Sequence, residues 1–430
     1  MNNLITLLKG NDTISNEIGL LYQVVKIPRM NLDPLMIGYG VWPCNTEPLL
    51  GINYAVTSSG CSASWEESML GTIGETLERY APLFYNIKEG KRTIFRNIDK
   101  FAIHPKEFAL FHDKQFENDS FSLKKFDEDT ELVWFPMSDL TNGKETWVPG
   151  QFIYMPFNGD KNHVTVNTST GLAAHTNYYK AILTGLFEVI ERDSFVITWM
   201  QKLVPGKIKI SKEIQSYISK HFPCKYEWHF FDISYDIKVP TVFGICFGEA
   251  EYGKFVAVSS ATRANYGQAL KKTIQEIGQA VPYFRYLLGK KKGWKPSDNF
   301  SLIQDFEDHS IFYTLRPDLW HVFDRWRNAK ETMSIDFSEK NKRNDIEEIR
   351  HIVKLLKDKN YNVLFKDITT PDIRQLGFYS VKVFVPQLIP LAGGYPFYFS
   401  GGERLYSVPK QMGFESNDFE NINKYPHPFP

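Results

Sequence analysis

Residues 177–192 read NYYKAILTGLFEVIER, and this stretch has the features of a complete amphipathic helix. Asn177 is a favourable N-cap residue, and apolar residues recur at the three- and four-residue spacing that buries one helix face. Immediately upstream, residues 169–171 (Ser-Thr-Gly) have the composition of a turn, and residues 163–166 alternate like a short strand. The sequence therefore predicts a strand, a turn and a helix in succession.

The same layout occurs twice more, without gaps. Residues 64–79 read SWEESMLGTIGETLER, and residues 265–280 read NYGQALKKTIQEIGQA. Each stretch begins with a cap residue, Ser or Asn, followed three residues later by Glu or Gln, which is the capping-box pattern. An extended stretch and a Ser-rich turn precede each helix, over residues 54–60 and 255–260. Three strand-turn-helix units are therefore predicted, in an α/β (mixed α+β) fold.

Each of the three helices carries an acidic residue 11 positions after its cap and a Glu or Gln three positions further on. Residues three apart share a helix face, so both side chains of a pair can reach one point. Carboxylates that share a cleft repel one another unless cations lie between them, and Mg²⁺ takes carboxylate and phosphate oxygens together. We therefore predict a Mg²⁺ site at the five carboxylates and an ATP site at all six residues. The six are Glu75, Glu78, Glu188, Glu191, Glu276 and Gln279.

A plainer interpretation exists for two of these helices. Glu75 with Arg79, and Glu188 with Arg192, have the i, i+4 spacing of ordinary solvent-facing ion pairs. The coincidence of cap, offset and preceding turn in three places favours a site instead. Other nucleotide motifs are absent from the sequence, which has neither a Gly-x-x-x-x-Gly-Lys-Ser/Thr loop nor a complete dinucleotide fingerprint.

Composition limits the partners and the compartment. Lys and Arg number 50 and Asp and Glu number 50 in 430 residues, so no overall field favours nucleic acid or an anionic membrane. No apolar run approaches the ~18 residues of a membrane span. The four cysteines lack the spacing of a zinc site or disulfide framework, which favours a reducing cytoplasm. We predict an N-terminal extension (1–50), a catalytic domain (51–413) and an extended, mobile tail (414–430).

The repeated helices resemble the YcaO family. The likeness rests on GETLERY (74–80), EVIERD (188–193) and EIGQ (276–279), and it continues through DITTPDI (367–373), VKVFVP (381–386) and GGERLY (401–406). It covers roughly residues 50 to 430. The resemblance implies the YcaO fold, with three units around an ATP site, and an arginine, Arg285, near the phosphates. It also implies an enzyme that phosphorylates a peptide amide oxygen after a nucleophile has added to the carbonyl.

The C-terminus narrows the expected subgroup. Pro426, Pro428 and Pro430 form a Pro-x-Pro-x-Pro ending that resembles the azoline-forming cyclodehydratases. In that subgroup Cys, Ser or Thr of a ribosomal precursor peptide closes on the preceding amide to give thiazoline or (methyl)oxazoline. The resemblance implies that the tail lies near the active site and takes part in catalysis. The plain alternative is a disordered Pro-rich end.

The resemblance also implies partners. They are the precursor peptide, a ubiquitin-activating-like protein that binds its leader, and a flavin-dependent dehydrogenase that oxidises azolines to azoles. A homodimer is one option for the assembly, which the sequence leaves open. Two other functions stay open as well: formation of a thioamide or amidine by the same amide activation, and a noncatalytic ATP-binding scaffold in a synthetase complex.

Overall fold

The computed structural model describes residues 9–54, 58–223 and 225–429. Residues 55–57 of the first predicted strand, Cys224 and the predicted tail residue Pro430 lie outside the described residues. The strands in the described ranges are β1 (Leu21–Lys26), β2 (Ile37–Pro43), β3 (Ser58–Ser62), β4 (Lys91–Thr93), β5 (Leu132–Asp139), β6 (Lys144–Pro149), β7 (Leu172–His175), β8 (Gly206–Ile208), β9 (Glu227–Asp232), β10 (Thr241–Ala250), β11 (Gly253–Thr262), β12 (Glu331–Met333), β13 (Leu364–Asp367) and β14 (Tyr379–Phe384). The α-helices are α1 (Glu47–Leu50), α2 (Trp65–Tyr80), α3 (Tyr178–Met200), α4 (Lys212–His221), α5 (Tyr266–Lys290), α6 (Phe306–Leu315), α7 (Asp324–Arg327), α8 (Asp345–Lys357), α9 (Pro371–Gln375) and α10 (Glu403–Gln411).

The strands form three sheets. The first has the order β1-β2-β3, the second β4-β5-β13-β14-β7 with β6 beside β5, and the third β11-β10-β9-β8-β12. Neighbouring strands run antiparallel except β8 and β12. The helices pack on these sheets, so the predicted mixed α+β class is confirmed.

The strands of the three repeated units are β3, β7 and β11, and each is the edge strand of a different sheet. The predicted strand positions agree only in part: the third predicted strand, 255–258, lies within β11, whereas β3 starts where a turn was predicted and β7 begins after the predicted turn at 169–171. At 169–171 the chain does turn, and the Leu172 N–H donates to the Ser169 carbonyl at 2.8 Å, whereas at 58–60 the small residues allow close packing. A Cβ on Gly60 would lie 2.3 Å from the backbone oxygen of Ser68, so only glycine lets β3 approach α2 this closely.

The three helices begin where the sequence predicts. Ser64 accepts a hydrogen bond from the backbone N–H of Glu67, Asn177 from that of Lys180, and Asn265 from that of Gln268. These caps satisfy backbone donors that the helices themselves leave unpaired. The predicted capping box of α2 forms only in part, because the carboxylate of Glu67 accepts from the Ser62 hydroxyl at 2.6 Å.

The three units pack in a ring. Helix α2 packs on β3 and on β7, α3 packs on β7 and on β11, and α5 packs on β11 and on β3. Each helix therefore covers its own strand and the strand of the next unit. Leu77, Ile190 and Ile277 are at most 1% exposed, and each buried side chain of this size contributes about 1.5–3 kcal/mol. This closed order brings the polar faces of three helices around one centre.

The prediction of a mobile tail was wrong for the described residues up to 429. Ile422 and Phe429 are buried, and Pro426 and Pro428 are buried as well. The tail runs antiparallel to α3: the N–H of Asn423 donates to the Met200 carbonyl at 2.6 Å, and the Trp199 indole donates to the Tyr425 carbonyl at 3.0 Å. Aromatic residues at this end of the chain, rather than the prolines alone, supply the apolar surface that fixes it.

Candidate functional site

In the first and third units, the carboxylate nearer the helix cap contacts the strand of its own unit. Glu75 accepts a hydrogen bond from the backbone N–H of Ser59 at 2.9 Å, and Glu276 accepts one from the hydroxyl of Ser259. These two side chains keep 35% and 31% of their surface exposed, so they line an open cleft. In the second unit the matching strand positions are Gly171 and Leu172, which offer no side-chain donor to Glu188.

In the second and third units, the residue three positions further along the helix contacts the strand of the next unit in the ring. Glu191 accepts from the Ser260 hydroxyl at 3.2 Å and from the Thr262 N–H at 3.3 Å, both on β11. Gln279 donates to the Ser59 hydroxyl at 2.9 Å and to the Ser59 carbonyl at 3.1 Å, on β3. The ring thus brings the predicted residues of α2, α3 and α5 together through the strands between them.

Cations lie among the carboxylates. Arg79 is 3.9 Å from Glu75 and 3.8 Å from Glu78. Arg192 is 3.7 Å from both Glu188 and Glu191. Lys272 lies 3.1 Å from Glu276, a pair that the sequence prediction missed although it has i, i+4 spacing. The ion pairs of the plainer interpretation therefore exist, but they face the cleft and are mostly buried instead of facing solvent.

Burial changes the acidity of the carboxylates. Burial raises the pKa of Glu78 to about 8, with Arg79 opposing the change and Glu188 adding to it. Burial likewise raises the pKa of Glu191 to about 7, and it raises that of Glu75. Burial would also raise the pKa of Glu276, but Lys272 and the Ser259 hydroxyl hold it below its usual value. The ionised forms are thus costly unless further positive charge is supplied.

Two features decide whether ATP and Mg²⁺ fit this cleft. Among the described residues, no group of three or more His, Cys, Asp or Glu side chains converges closely enough to hold a metal ion by itself. Mg²⁺ commonly completes its shell with phosphate and water oxygens, so paired carboxylates suffice as its protein ligands. Nη1 of Arg192 is buried without a hydrogen-bond partner in the described part of the chain, as expected of a group that meets an anion. The donor set therefore fits a magnesium nucleotide.

Arg285, predicted near the phosphates, lies two helical turns beyond Glu276. Its guanidinium donates to Asp33 at 2.6 Å and to the Pro28 carbonyl at 2.8 Å. These partners connect α5 to the segment between β1 and β2. A phosphate contact from Arg285 stays a prediction.

The C-terminal tail ends beside the acidic cleft. The ring of Phe429 lies 4.1 Å from the guanidinium carbon of Arg192, the residue that pairs with Glu188 and Glu191. Upstream, the Tyr313 hydroxyl donates to the Pro426 carbonyl at 2.8 Å. The sequence prediction did not include the contact of Phe429 with Arg192, because the resemblance rested on the prolines on either side of Phe429.

Lys382 is a second residue that the sequence prediction missed. It is 2% exposed on β14, and its ammonium donates to the Thr170 carbonyl at 2.7 Å and to the Thr168 carbonyl at 3.3 Å. Burial lowers its pKa to about 8, while the charges of Glu188 and Glu78 oppose that change. A charged residue in the otherwise apolar strand sequence VKVF is the signal that could have found it.

A ring of carboxylates interleaved with buried cations, open on one side, defines a nucleotide- and magnesium-binding protein. The sequence matches the family model of YcaO cyclodehydratases, described as ATP- and Mg²⁺-binding, over residues 59–389. The match covers well over half of the chain, and the chain belongs to the YcaO cyclodehydratase family. ATP and Mg²⁺, predicted from the acidic helices, are the cofactors of this enzyme family. A comparison with curated proteins found no match.

Three solved structures share the fold. A heterocyclase solved in complex with substrate and cofactor has a TM-score of 0.81 at 20% identity, and the match covers 99% of this chain and 57% of that one. YcaO from Methanopyrus kandleri, bound with AMPPCP and Mg²⁺, gives 0.63 at 13% identity over 90% and 91% of the two chains. A chain of the E. coli microcin synthetase McbBCD complex gives 0.55 at 14% identity over 85% and 88%. The chain spans little more than half the length of the first heterocyclase.

In the described part of the chain, no helix combines the length and the apolar character needed to cross a membrane.

Proposed function

We propose that this chain is the cyclodehydratase component of a peptide-modifying synthetase. It converts Cys, Ser or Thr of a ribosomal precursor peptide into thiazoline or (methyl)oxazoline, and it consumes one ATP for each ring. The observation that carries this proposal is the contact between Phe429 and Arg192, because it joins the Pro-x-Pro-x-Pro tail to the carboxylate pair Glu188 and Glu191. Membership of the YcaO cyclodehydratase family supports the same reaction class.

The proposed reaction balances without another reactant. The thiol or hydroxyl adds to the preceding carbonyl carbon, and the resulting oxyanion takes the γ-phosphoryl group. Loss of that oxygen as phosphate, with the amide proton, leaves the C=N bond of the azoline. Bound ATP supplies the phosphoryl group that carries the oxygen away. The overall products are the azoline, ADP and phosphate.

Each residue of the cleft would have its own role in binding Mg²⁺ and the nucleotide. Glu75, Glu78, Glu188, Glu191 and Glu276 would hold Mg²⁺, and Gln279 would fix the third side through Ser59. The partnerless Nη1 of Arg192 would meet a phosphate oxygen. Phe429 orients that guanidinium from the other side, so the tail positions a cation of the cleft. Arg285 would need to leave Asp33 before it could meet a phosphate.

The partners of this reaction are part of the proposal. We propose that a ubiquitin-activating-like protein captures the leader of the precursor peptide, as the family resemblance implies. The microcin synthetase is solved as a complex, which supports a multi-component assembly. A flavin-dependent dehydrogenase in that assembly is a further part of the proposal. We propose the cytoplasm as the site of the reaction and 51–413 as the catalytic domain.

Reconstitution tests this function. The chain is incubated with ATP, Mg²⁺, the leader-binding partner and a Cys-containing precursor encoded beside it. Each ring should lower the peptide mass by one water, with ADP and phosphate formed in equal amounts. A thioamide exchanges oxygen for sulfur and changes the mass differently. An amidine closed by an internal amine also loses one water but leaves the Cys thiol free, so thiol alkylation distinguishes it from an azoline. A peptide that stays unmodified would refute the cyclodehydratase.

Variants at the tail test the contact that carries the proposal. Phe429→Leu keeps an apolar side chain but removes the ring from Arg192, so we expect ring formation to slow about tenfold with little change in melting temperature. Phe419→Leu, at an aromatic residue of the tail that packs on His112 instead, is the matched control. Equal rates for the two variants would contradict a catalytic tail, and ring formation that persists in Glu191→Gln would favour a scaffold.

A further inference from the structure

The start of the buried tail lines a second pocket, just beyond the C-terminal end of α3. The pocket has a volume of about 280 Å³ and is lined by residues 422–425 together with Lys202, Phe300, Val322 and Arg325. The tail is held there by the hydrogen bond from Asn423 to Met200. The pocket and the acidic cleft thus lie at the two ends of one tail segment.

The pocket carries uncompensated positive charge. Lys202, Arg325 and Lys424 line it, and only Lys424 has an acidic neighbour, Glu420 at 3.4 Å. In the described part of the chain no carboxylate oxygen lies within 4.0 Å of the other two charged groups. Burial lowers the pKa of Lys202 and Arg325 lowers it further, while burial alone lowers that of Arg325. Two cations that repel each other favour an anionic ligand between them.

Lys202 also occupies an unusual backbone position. Its φ is +58°, in the left-handed region, and it follows α3 where Leu203 N–H closes the helix on the Thr198 carbonyl at 3.0 Å. Gly or Asn fits this helix-ending position with less strain than Lys. The ammonium of Lys202 can interact either with the carbonyls at the helix end or with a ligand in the pocket.

We propose that this pocket binds an acidic side chain of a peptide, and that the peptide is the precursor being modified. Phe300, Val322 and Tyr425 give the pocket apolar walls beside its cations, which suits a Glu or Asp with its aliphatic stem better than a hydrated phosphate. Lys202 lies ten residues beyond Arg192 along α3, or about 15 Å, a distance spanned by about four or five extended residues. The identity of the peptide as substrate rests on the proposed function.

Binding can be measured without catalysis. Saturation-transfer NMR compares the capped peptide Gly-Leu-Glu-Leu-Gly with its Gln analogue on the full chain, in the absence of ATP. We expect the Glu peptide to bind about tenfold more tightly, because it gains charge-assisted hydrogen bonds. Lys202→Asn and Arg325→Gln should each remove most of this difference, whereas Lys330→Gln, an exposed lysine outside the pocket, should keep it.

The variants separate the two explanations of Lys202. Asn fits the left-handed backbone, so Lys202→Asn should keep or raise the melting temperature while it loses the Glu peptide. A lower melting temperature with unchanged binding would assign Lys202 to the helix end and overturn the proposal. Binding of inorganic phosphate to the pocket, without binding of the Glu peptide, would also overturn the proposal. Peptide binding without ring formation would refute the proposed function alone, and ring formation without peptide binding would refute this pocket alone.

Discussion

Two junctions occupy equivalent places in the ring, one between α3 and β11 and the other between α2 and β7. Different polar interactions are found at each. At the first, Glu191 accepts hydrogen bonds from Ser260 and Thr262. At the second, the residue matching Ser260 is Leu172, which has no hydroxyl for Glu78. Lys382 is the cross-strand neighbour of Leu172, and it brings a buried ammonium to this junction instead.

The difference shows how a threefold repeat becomes an asymmetric site. Glu191 has hydrogen bonds from β11 besides its ion pair with Arg192, whereas in the described part of the chain Glu78 has only charged neighbours, and its pKa depends on burial and then on Arg79 and Glu188. A carboxylate held by charge alone responds to any ion that enters, while one held by hydrogen bonds keeps its geometry. We therefore expect the α2–β7 junction to respond most to Mg²⁺ and the α3–β11 junction to supply the rigid side of the cleft.

The largest effect is expected from neutralising the two carboxylates. Glu78→Gln and Glu191→Gln should each lower ATP turnover by about a hundredfold or more, because each removes a negative charge that the cation needs. Their stabilities should differ. A Gln at 191 keeps only neutral hydrogen bonds to Ser260 and Thr262 in place of charge-assisted ones, so Glu191→Gln should be about 1 kcal/mol less stable than Glu78→Gln.

Steady-state ATP hydrolysis and urea unfolding measure both quantities. Glu66→Gln, at a residue in the first turn of α2 outside the cleft, controls for charge removal. Equal stabilities of Glu78→Gln and Glu191→Gln would show that hydrogen bonding does not distinguish the junctions.

Lys382→Met should give the next largest effect. Met keeps the length of the side chain but leaves the Thr170 carbonyl without its buried donor, which should cost about 1–3 kcal/mol of unfolding free energy. Removing the ammonium should also raise the pKa of Glu78 further and weaken Mg²⁺ binding at neutral pH. Lys366→Met is a matched control, because Lys366 pairs with Lys382 across β13 and β14 and donates to the Pro136 carbonyl at 3.1 Å.

Titration calorimetry with Mg²⁺ and ATP separates the two lysines. The charge role requires that Lys382→Met weakens magnesium binding more than Lys366→Met does. If both variants lose stability but bind magnesium like the parent chain, Lys382 serves the sheet alone.

The raised carboxylate pKa values predict how stability depends on pH. Between the usual Glu value and about 8 for Glu78 or about 7 for Glu191, the folded chain holds more protons than the unfolded chain. The stability of the ligand-free chain should therefore fall as pH rises through this window, by at most about 1.4 kcal/mol per pH unit for each proton. Magnesium nucleotide favours the ionised forms, so its affinity should rise with pH over the same range.

Melting curves from pH 5 to pH 8.5, with and without Mg²⁺ and ATP, test this linkage. Glu78→Gln should reduce the slope of the ligand-free profile up to about pH 8, and Glu191→Gln only up to about pH 7. A ligand-free chain that gains stability across the window would contradict the raised pKa values.

Much of this site could be predicted from local sequence. Helix chemistry within about 15 residues indicates the caps Ser64, Asn177 and Asn265. The matched offsets from these caps then indicate both predicted site residues on each helix. The start of β3 was misplaced because Ser and Gly are common both in turns and where a strand lies close to a helix. Gly60 illustrates this, since its missing side chain serves the contact with α2.

Contacts between distant segments could not be predicted in the same way. Lys382 lies more than 200 residues from Leu172 and Phe429 lies far from Arg192 in the chain, so no local spacing connects them. Arg285 was assigned by likeness, and its pairing with Asp33 depends on a loop between β1 and β2. Burial, which raises the pKa of Glu78, is likewise a property of the assembled ring.

The smallest effect is expected from removing the Ser59 hydroxyl, and the hydroxyl of Ser260 at the other hydrogen-bonded junction gives the comparison. Ser59→Ala leaves Gln279 its bond to the Ser59 carbonyl, so the loss should stay below about 1 kcal/mol of unfolding free energy. Ser260→Ala removes a bond to a carboxylate, which should cost more, about 1.5–3 kcal/mol when Glu191 is ionised. That cost should shrink below pH 7, because a protonated Glu191 accepts the bond less strongly.

Urea unfolding of both variants at pH 6 and pH 8 measures these differences. Only Ser260→Ala should change its cost with pH, since Gln279 does not titrate. The same pH dependence in both variants would mean that the α5–β3 and α3–β11 junctions share one charge environment. In that case the hydroxyls of Ser59 and Ser260 would not explain why two junctions differ from the third. The third junction is the one that contains Lys382.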